Sequence, residues 1–194
     1  MKIILIIIIS LLNMNQQTGQ KIAYFGGGCF WCIEAAFEGL CGVTNVVSGY
    51  SGGDTETANY LDVSTGKTQH AEVCKITYQP KKISLNTLLE VFFLAHDPTT
   101  INRQGNDIGT QYRSIIFYNN NIEKNIINNH IKKLEQQNVY HEIQTEIKPF
   151  TQFHEAEQYH QNYFYLNPNK PYCSLIINPK IQSLRKKLKT YYVK

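Results

Sequence analysis

Charge is scarce in this chain of 194 residues: only 18% are Asp, Glu, Lys or Arg, against 42% hydrophobic. A composition that apolar can bury a core and excludes an intrinsically disordered chain. No apolar run reaches the roughly twenty residues that a bilayer-spanning helix needs. Residues 3 to 12, behind Lys2, instead have the length of a signal-peptide core, although no small-x-small cleavage site precedes Lys21. Residues 1–20 are therefore expected to be a leader outside the fold, pointing to the secretory pathway or the extracellular space, or to the cytoplasm if the leader does not function, and residues 21–194 a single domain. There is no Asn-x-Ser/Thr acceptor, no internal repeat and no linker composition. A second C-x-x-C and an H-E-x-x-H are also missing, so neither common zinc pattern is complete. The net charge of +4 is uneven, with Lys180, Arg185, Lys186, Lys187, Lys189 and Lys194 all at the end. So short a basic stretch reads as a solvated helix face; neither nucleic acid nor stable membrane insertion is expected.

Against these absences stands Gly26-Gly27-Gly28-Cys29-Phe30-Trp31-Cys32, which holds the only tryptophan. Lys21 to Phe25 reads as a strand, and Phe30, Ile33, Phe37 and Leu40 recur at helical spacing. Cys29 thus begins a helix, where orphan amide hydrogens and the helix dipole favour a thiolate. The glycines leave room for a substrate to reach the sulfur. An approachable, activated nucleophile is the expectation.

Further on, Val43–Tyr50 and Ala71–Tyr78 read as strands, Ser84–Ala95 as a helix stopped before Asp97-Pro98, and Ser114–Tyr118 as a strand. The order strand, helix, strand, strand, helix, strand predicts an α+β fold with a two-layer, ferredoxin-like (split βαβ) core. Outside it come a polar helix over 121–137, a strand over 142–148, an aromatic-rich helix over 155–165 and the basic C-terminal helix. Two long loops, 50–70 and 97–113, exceed ordinary connections, and loops of that length are often functional. In the strand Ala71–Tyr78, alternation puts Glu72 at the end of the more apolar face with Cys74, Ile76 and Tyr78. A carboxyl so placed is biased towards its protonated form and can act as an acid near neutral pH.

Gly28-Cys29-Phe30-Trp31 with Glu34, Gly49-Tyr50-Ser51-Gly52-Gly53, His70-Ala71-Glu72, and Gly105-Asn106-Asp107-Ile108-Gly109-Thr110-Gln111-Tyr112-Arg113-Ser114 together resemble the signature series of peptide methionine sulfoxide reductase A. The likeness runs from about Ile22 to about Ile177. It implies a cofactor-free repair enzyme for methionine sulfoxide, free or in proteins, that takes the S epimer and is recycled by thioredoxin or a similar dithiol. A monomer is expected. By the same resemblance, Tyr60, Tyr112 and Tyr163 surround the sulfoxide oxygen or an ordered water, and Asp107 lines the pocket. Phe30 and Trp31 would wall the substrate methyl group.

The chemistry expected is attack by Cys29 with Glu72 as acid, leaving a sulfenic acid that a second thiol must condense with. The resemblance favours Cys173 for that role; Cys32, by its C-x-x-C spacing, is the rival. The glycine-rich tail that many relatives carry is replaced by residues 175–179 and the basic helix. Cys41 and Cys74 are expected to be core thiols. Two other function classes compete. A general thiol-disulfide oxidoreductase would also place C-x-x-C at a helix start; a metal or interaction module would draw on Cys29, Cys32 and some of the six histidines.

Overall fold

The computed structural model describes residues 19–192, so the expected leader lies almost wholly outside the described residues. The architecture is a mixed α/β fold around a six-stranded sheet of order β7-β6-β1-β3-β2-β8. Its strands are β1 (Lys21–Gly26), β2 (Val43–Ser51), β3 (Ala71–Tyr78), β6 (Ile115–Tyr118), β7 (Glu146–Pro149) and β8 (Phe153–Glu155). A separate two-residue hairpin, β4 (Arg103–Gln104) and β5 (Asp107–Ile108), lies in the second long loop. All pairings in the main sheet are antiparallel except β6 with β7.

Strand alternation sorts the side chains onto two faces. Phe25, Cys74, Ile76 and Ile116 pack under the helices, whereas Tyr24, Val73, Ile115 and Phe117 form a smaller cluster closed by Phe150 and Phe153. Tyr24 stacks on Phe150 with ring centroids 3.9 Å apart. The helical layer comprises α1 (Phe30–Phe37), α2 (Leu85–Ala95), α3 (Asn121–Gln136) and α4 (Asn178–Lys187). Ser84 caps α2 and Asn120 caps α3, each accepting the amide hydrogen three residues on.

Helix α1 differs from the single apolar face that spacing suggested: every residue except Trp31 is buried. The sheet lies on one side and the C-terminal segment roofs the other. Ile177, Ile181, Leu184 and Leu188 turn inward from that segment, while Lys186, Lys187 and Lys189 face solvent. The Tyr192 hydroxyl donates to the Ala36 carbonyl at 2.6 Å and fastens the chain end to α1. Among the described residues no helix is long and apolar enough to cross a membrane.

Two expected elements are corrected. The strand expected over 142–148 is shorter and later, Glu146–Pro149. In place of a helix over 155–165 the chain forms β8, a 3-10 turn (Gln158–His160) and a single helical turn (Tyr163–Leu166). Tertiary bonds override the propensity there: the Gln161 side chain accepts from Ser48 N–H and donates to the Ser48 and Ala156 carbonyls, and Asn162 adopts φ +53°. Cys41 is exposed, correcting its assignment to the core, because it follows the turn that ends α1; Cys74 is buried as expected.

Candidate active site

The glycine turn ends β1 and delivers Cys29 as the residue that caps α1, with its carbonyl accepting from Cys32 N–H at 3.0 Å. Two glycines are required there. Gly28 has φ +91°, where a side chain is strained, and a Cβ on Gly26 would stand 2.7 Å from the Glu72 carbonyl oxygen. That close packing sets β3 beside the start of α1. Glu72 then reaches under the helix, and its Oε2 accepts the Phe30 amide hydrogen at 2.9 Å. One of the orphan donors of the α1 N-terminus is thereby satisfied by the candidate acid itself.

Glu72 is 3% exposed, and burial pushes its carboxyl up to about 8, against the opposing pull of the Phe30 amide. It is therefore largely protonated at neutral pH, as strand alternation suggested. Cys29 behaves otherwise than expected. Its thiol is pushed well above the ordinary value by burial, then by the hydrogen bond it shares with Cys32 and by the nearness of Glu72. The Trp31 amide acts in the opposite sense but is outweighed. With Cys29 8% exposed, the helix N-terminus does not compensate for the lost solvation, and the resting group is a thiol rather than a thiolate. Cys32 moves the other way, lowered chiefly by its hydrogen bond with Cys29 against the effect of burial, with Lys180 and Tyr172 assisting.

A cavity of about 80 Å³ is lined by Cys29, Phe30, Trp31, Tyr60, Glu72, Asp107, Tyr112 and Tyr172. Cys29 is also shared with a larger opening of about 480 Å³, which Cys32, Asp107, Ile176 and Lys180 help to line. Both long loops feed the site. The first brings Tyr60, whose amide donates to Glu157 Oε1 at 2.9 Å, while Glu157 Oε2 accepts from the Tyr50 hydroxyl at 3.0 Å. The second is tied to the start of β3 by Arg113, which donates to the Gln69, His70 and Thr110 carbonyls and pairs with Glu146 at 3.5 Å. The sequence motifs around Tyr50 and Arg113 thus serve chiefly to hold these loops.

Of the ten residues singled out from sequence, seven line the small cavity; Cys32 lines only the larger opening. Tyr163 stands behind the wall, stacked on Trp31 at 3.7 Å with ring planes 7° apart. Helical spacing explains the contact: Trp31 and Glu34 share a face, and the buried Glu34 carboxylate accepts from Asn162 N–H at 3.0 Å and Tyr163 N–H at 3.3 Å. Cys173 is fully buried in the π-turn Cys173–Ile177, near Cys32.

Three contributors escaped the sequence reading. Tyr172 donates its hydroxyl to Asp107 Oδ2 at 2.6 Å and closes the pocket from the C-terminal segment. His160, 2% exposed, packs its ring against Phe30, Trp31 and Tyr60 with neither ring nitrogen hydrogen-bonded. Glu157 anchors the Tyr60 loop. Adjacency to Cys173 could have signalled Tyr172; His160 entered only as one of the histidines of the metal alternative, and nothing in the sequence marked Glu157. Among the described residues no group of three His, Cys, Asp or Glu side chains is arranged to hold a metal ion.

Known proteins resemble this chain over most of its length. The family model for peptide methionine sulfoxide reductase matches residues 21–192. The chain is similar to the curated peptide methionine sulfoxide reductase MsrA of Picrophilus torridus, 44% identical over 168 residues, covering 87% of this chain and 95% of the relative. A second such protein, from Trichodesmium erythraeum, is 48% identical over 162 residues, covering 83% and 92%. Among solved structures, reduced Mxr1 from Saccharomyces cerevisiae superposes with a TM-score of 0.75 at 32% identity, covering 80% of this chain and 90% of that one. Methionine sulfoxide reductase A of Corynebacterium diphtheriae gives 0.70 at 34% identity, covering 80% and 78%. Mxr1 has also been solved in complex with Trx2.

Proposed function

The chain belongs to the peptide methionine sulfoxide reductase family and reduces methionine sulfoxide at the expense of thiols, and from that premise we propose which of its groups perform each step. The observation that carries the reading is the placement of the Cys29 thiol and the protonated Glu72 carboxyl on one cavity, joined through Phe30. The substrate methyl group lies against Phe30 and Trp31, and the sulfoxide oxygen points to Glu72 with Tyr60 and Tyr112 beside it. Burial raises both tyrosine hydroxyls, so they stay protonated and able to donate. As Glu72 donates its proton to the oxygen, the sulfur becomes electrophilic and Cys29 attacks it, the Cys29 thiol proton passing to the Glu72 carboxylate so left. The oxygen leaves with Cys29, giving Cys29 sulfenic acid and methionine; the substrate gains two electrons and Cys29 loses two. Asp107, held by Tyr172, borders the same cavity and orients the substrate's polar backbone.

Cys32 then condenses with the sulfenic acid, releasing water and forming a disulfide. The two cysteines occupy the cap and third positions of one helix and line the same opening. This reverses the order that the resemblance favoured. Cys173 stays the second reading, since it lies near Cys32 and could take over the disulfide by exchange. Thioredoxin or a similar dithiol would reduce the product, a role supported by the Mxr1 complex with Trx2.

The S epimer is the proposed substrate. A single chain supplies every group used, which supports a monomer, and the apolar run of residues 3–12 supports export. The strand order β6-β1-β3-β2, with α1 and α2 as crossovers, supports the split βαβ reading of the core. The test is turnover of the two separated methionine sulfoxide epimers with dithiothreitol. Wild type is expected to consume the S epimer alone and Cys29→Ser neither. Full activity in Cys29→Ser would overturn the assignment.

A further inference from the structure

The larger opening beside the nucleophile holds a group that the reaction scheme has not used. Lys180, from the first turn of α4, lines it together with Cys29, Cys32, Asp107, Tyr172 and Ile176. It is the sole cation among the lining residues, is only half-buried, and makes no ion pair among the described residues. The C-terminal segment that carries it is locked down by Ile177, Ile181 and Leu184 in the core and by Tyr192 on Ala36. Lys180 is therefore held over the thiol pair by a fixed roof rather than by a mobile tail.

We propose that Lys180 is a positioning residue that holds Cys32 as the attacking thiolate when the Cys29–Cys32 disulfide closes. The proposal rests on Cys32 as the resolving thiol, whose surroundings change during turnover. At rest the largest influence favouring the Cys32 anion is the hydrogen bond with Cys29. Once Cys29 has taken the substrate oxygen, it no longer carries an S–H. The groups still facing Cys32 are Asp107, whose charge opposes an anion; Glu72, neutral while it keeps its proton; Cys173, a buried thiol; Tyr172, whose hydroxyl proton is given to Asp107; and Lys180. Lys180 alone brings positive charge. In the closing step the Cys32 sulfur bonds to the Cys29 sulfur and the S–O bond breaks. Hydroxide departs and takes up one proton as water; Cys32 is oxidised and the Cys29 sulfur is reduced. A cation beside the attacking sulfur stabilises the form that reacts, and leaves the earlier attack by Cys29 on substrate unaffected.

The experiment uses the full chain in two arms. In Cys29→Ser, the rate of Cys32 alkylation by iodoacetamide is followed against pH, resolved by mass spectrometry. Adding Lys180→Met is expected to raise the midpoint by about one unit, the shift an unscreened neighbouring charge produces, and Lys180→Arg to restore it. In the enzyme with all cysteines, one equivalent of methionine sulfoxide is added and the sulfenic acid is trapped with dimedone over time. Lys180→Met is expected to slow loss of the sulfenic acid about three- to fourfold at pH 7, the roughly tenfold smaller thiolate fraction being partly offset by its greater nucleophilicity, with the initial release of methionine unchanged. An unshifted alkylation profile, or one that Lys180→Arg fails to restore, overturns the proposal. A Cys32→Ser enzyme that closes its disulfide at the normal rate would instead overturn Cys32 as resolver, a separate outcome, since the alkylation arm reports on Lys180 alone.

Discussion

The Glu72 carboxylate oxygen accepts the Phe30 amide hydrogen at 2.9 Å, so the acid on β3 is bonded to the residue next to the nucleophile. This one contact ties the acid to the start of the helix that Cys29 caps, and burial raises both groups. The site accordingly rests with its acid and its nucleophile both protonated.

Glu72→Gln keeps an acceptor for Phe30 N–H but has no proton to give at a useful acidity. Methionine formation in a single turnover is expected to fall on the order of a hundredfold or more, with melting temperature nearly unchanged. Wild type should lose activity as pH rises through about 8, where Glu72 gives up its proton. Rapid-quench rates from pH 6 to 9.5 test both; a Glu72→Gln enzyme retaining that descending limb would assign the limb to another group.

Glu34 is buried with two amide donors on its carboxylate. In Glu34→Ala both amides lose their partner, at a cost of about 2–3 kcal/mol, and Tyr163 loses its position on Trp31. Denaturant unfolding should show the loss, together with a raised KM for a sulfoxide peptide. Glu34→Gln, which still accepts, should recover most of both.

His96 is hydrogen-bonded through both ring nitrogens, to the Phe92 carbonyl and the Ser114 hydroxyl, each at 2.7 Å, and burial pushes it down to about 4. A depressed folded value means that the unfolded chain binds the proton more readily. The stability this confers is present above about 6.5 and is lost as pH falls towards 4, on the order of 3 kcal/mol. The check is the difference in unfolding free energy between wild type and His96→Gln at pH 7.5 and pH 4.5. A difference that does not shrink on acidification would refute it.

Gly26→Ala places a methyl carbon 2.7 Å from the Glu72 carbonyl oxygen and 2.9 Å from an Ile115 methyl. The main chain must move, because the first contact is backbone. A loss of about 1–3 kcal/mol is expected, with turnover reduced even where the protein stays folded, since β3 carries the acid. Circular dichroism melts beside epimer turnover separate the two effects.

Some of this was legible before any coordinates. The glycine turn, the period-2 alternation that puts Glu72 beside Cys74 and Ile76, and the helical period over Leu85–Ala95 are local patterns, and all three survive in the fold. The segment 155–165 misled, because its aromatic residues pack on Trp31, Phe30 and Tyr60 across the molecule rather than along one helix.

Residue order alone determined that a cysteine starts a helix after a glycine turn and that a carboxyl sits on an apolar strand face, because both depend only on neighbours in the chain. Tertiary structure decided the rest. It set Cys29 as a thiol by burying it, laid Tyr172 and Lys180 over the C-x-x-C pair, and buried Cys173 in the C-terminal segment. These facts rest on contacts between residues more than a hundred positions apart, whose distance and desolvation no spacing rule encodes.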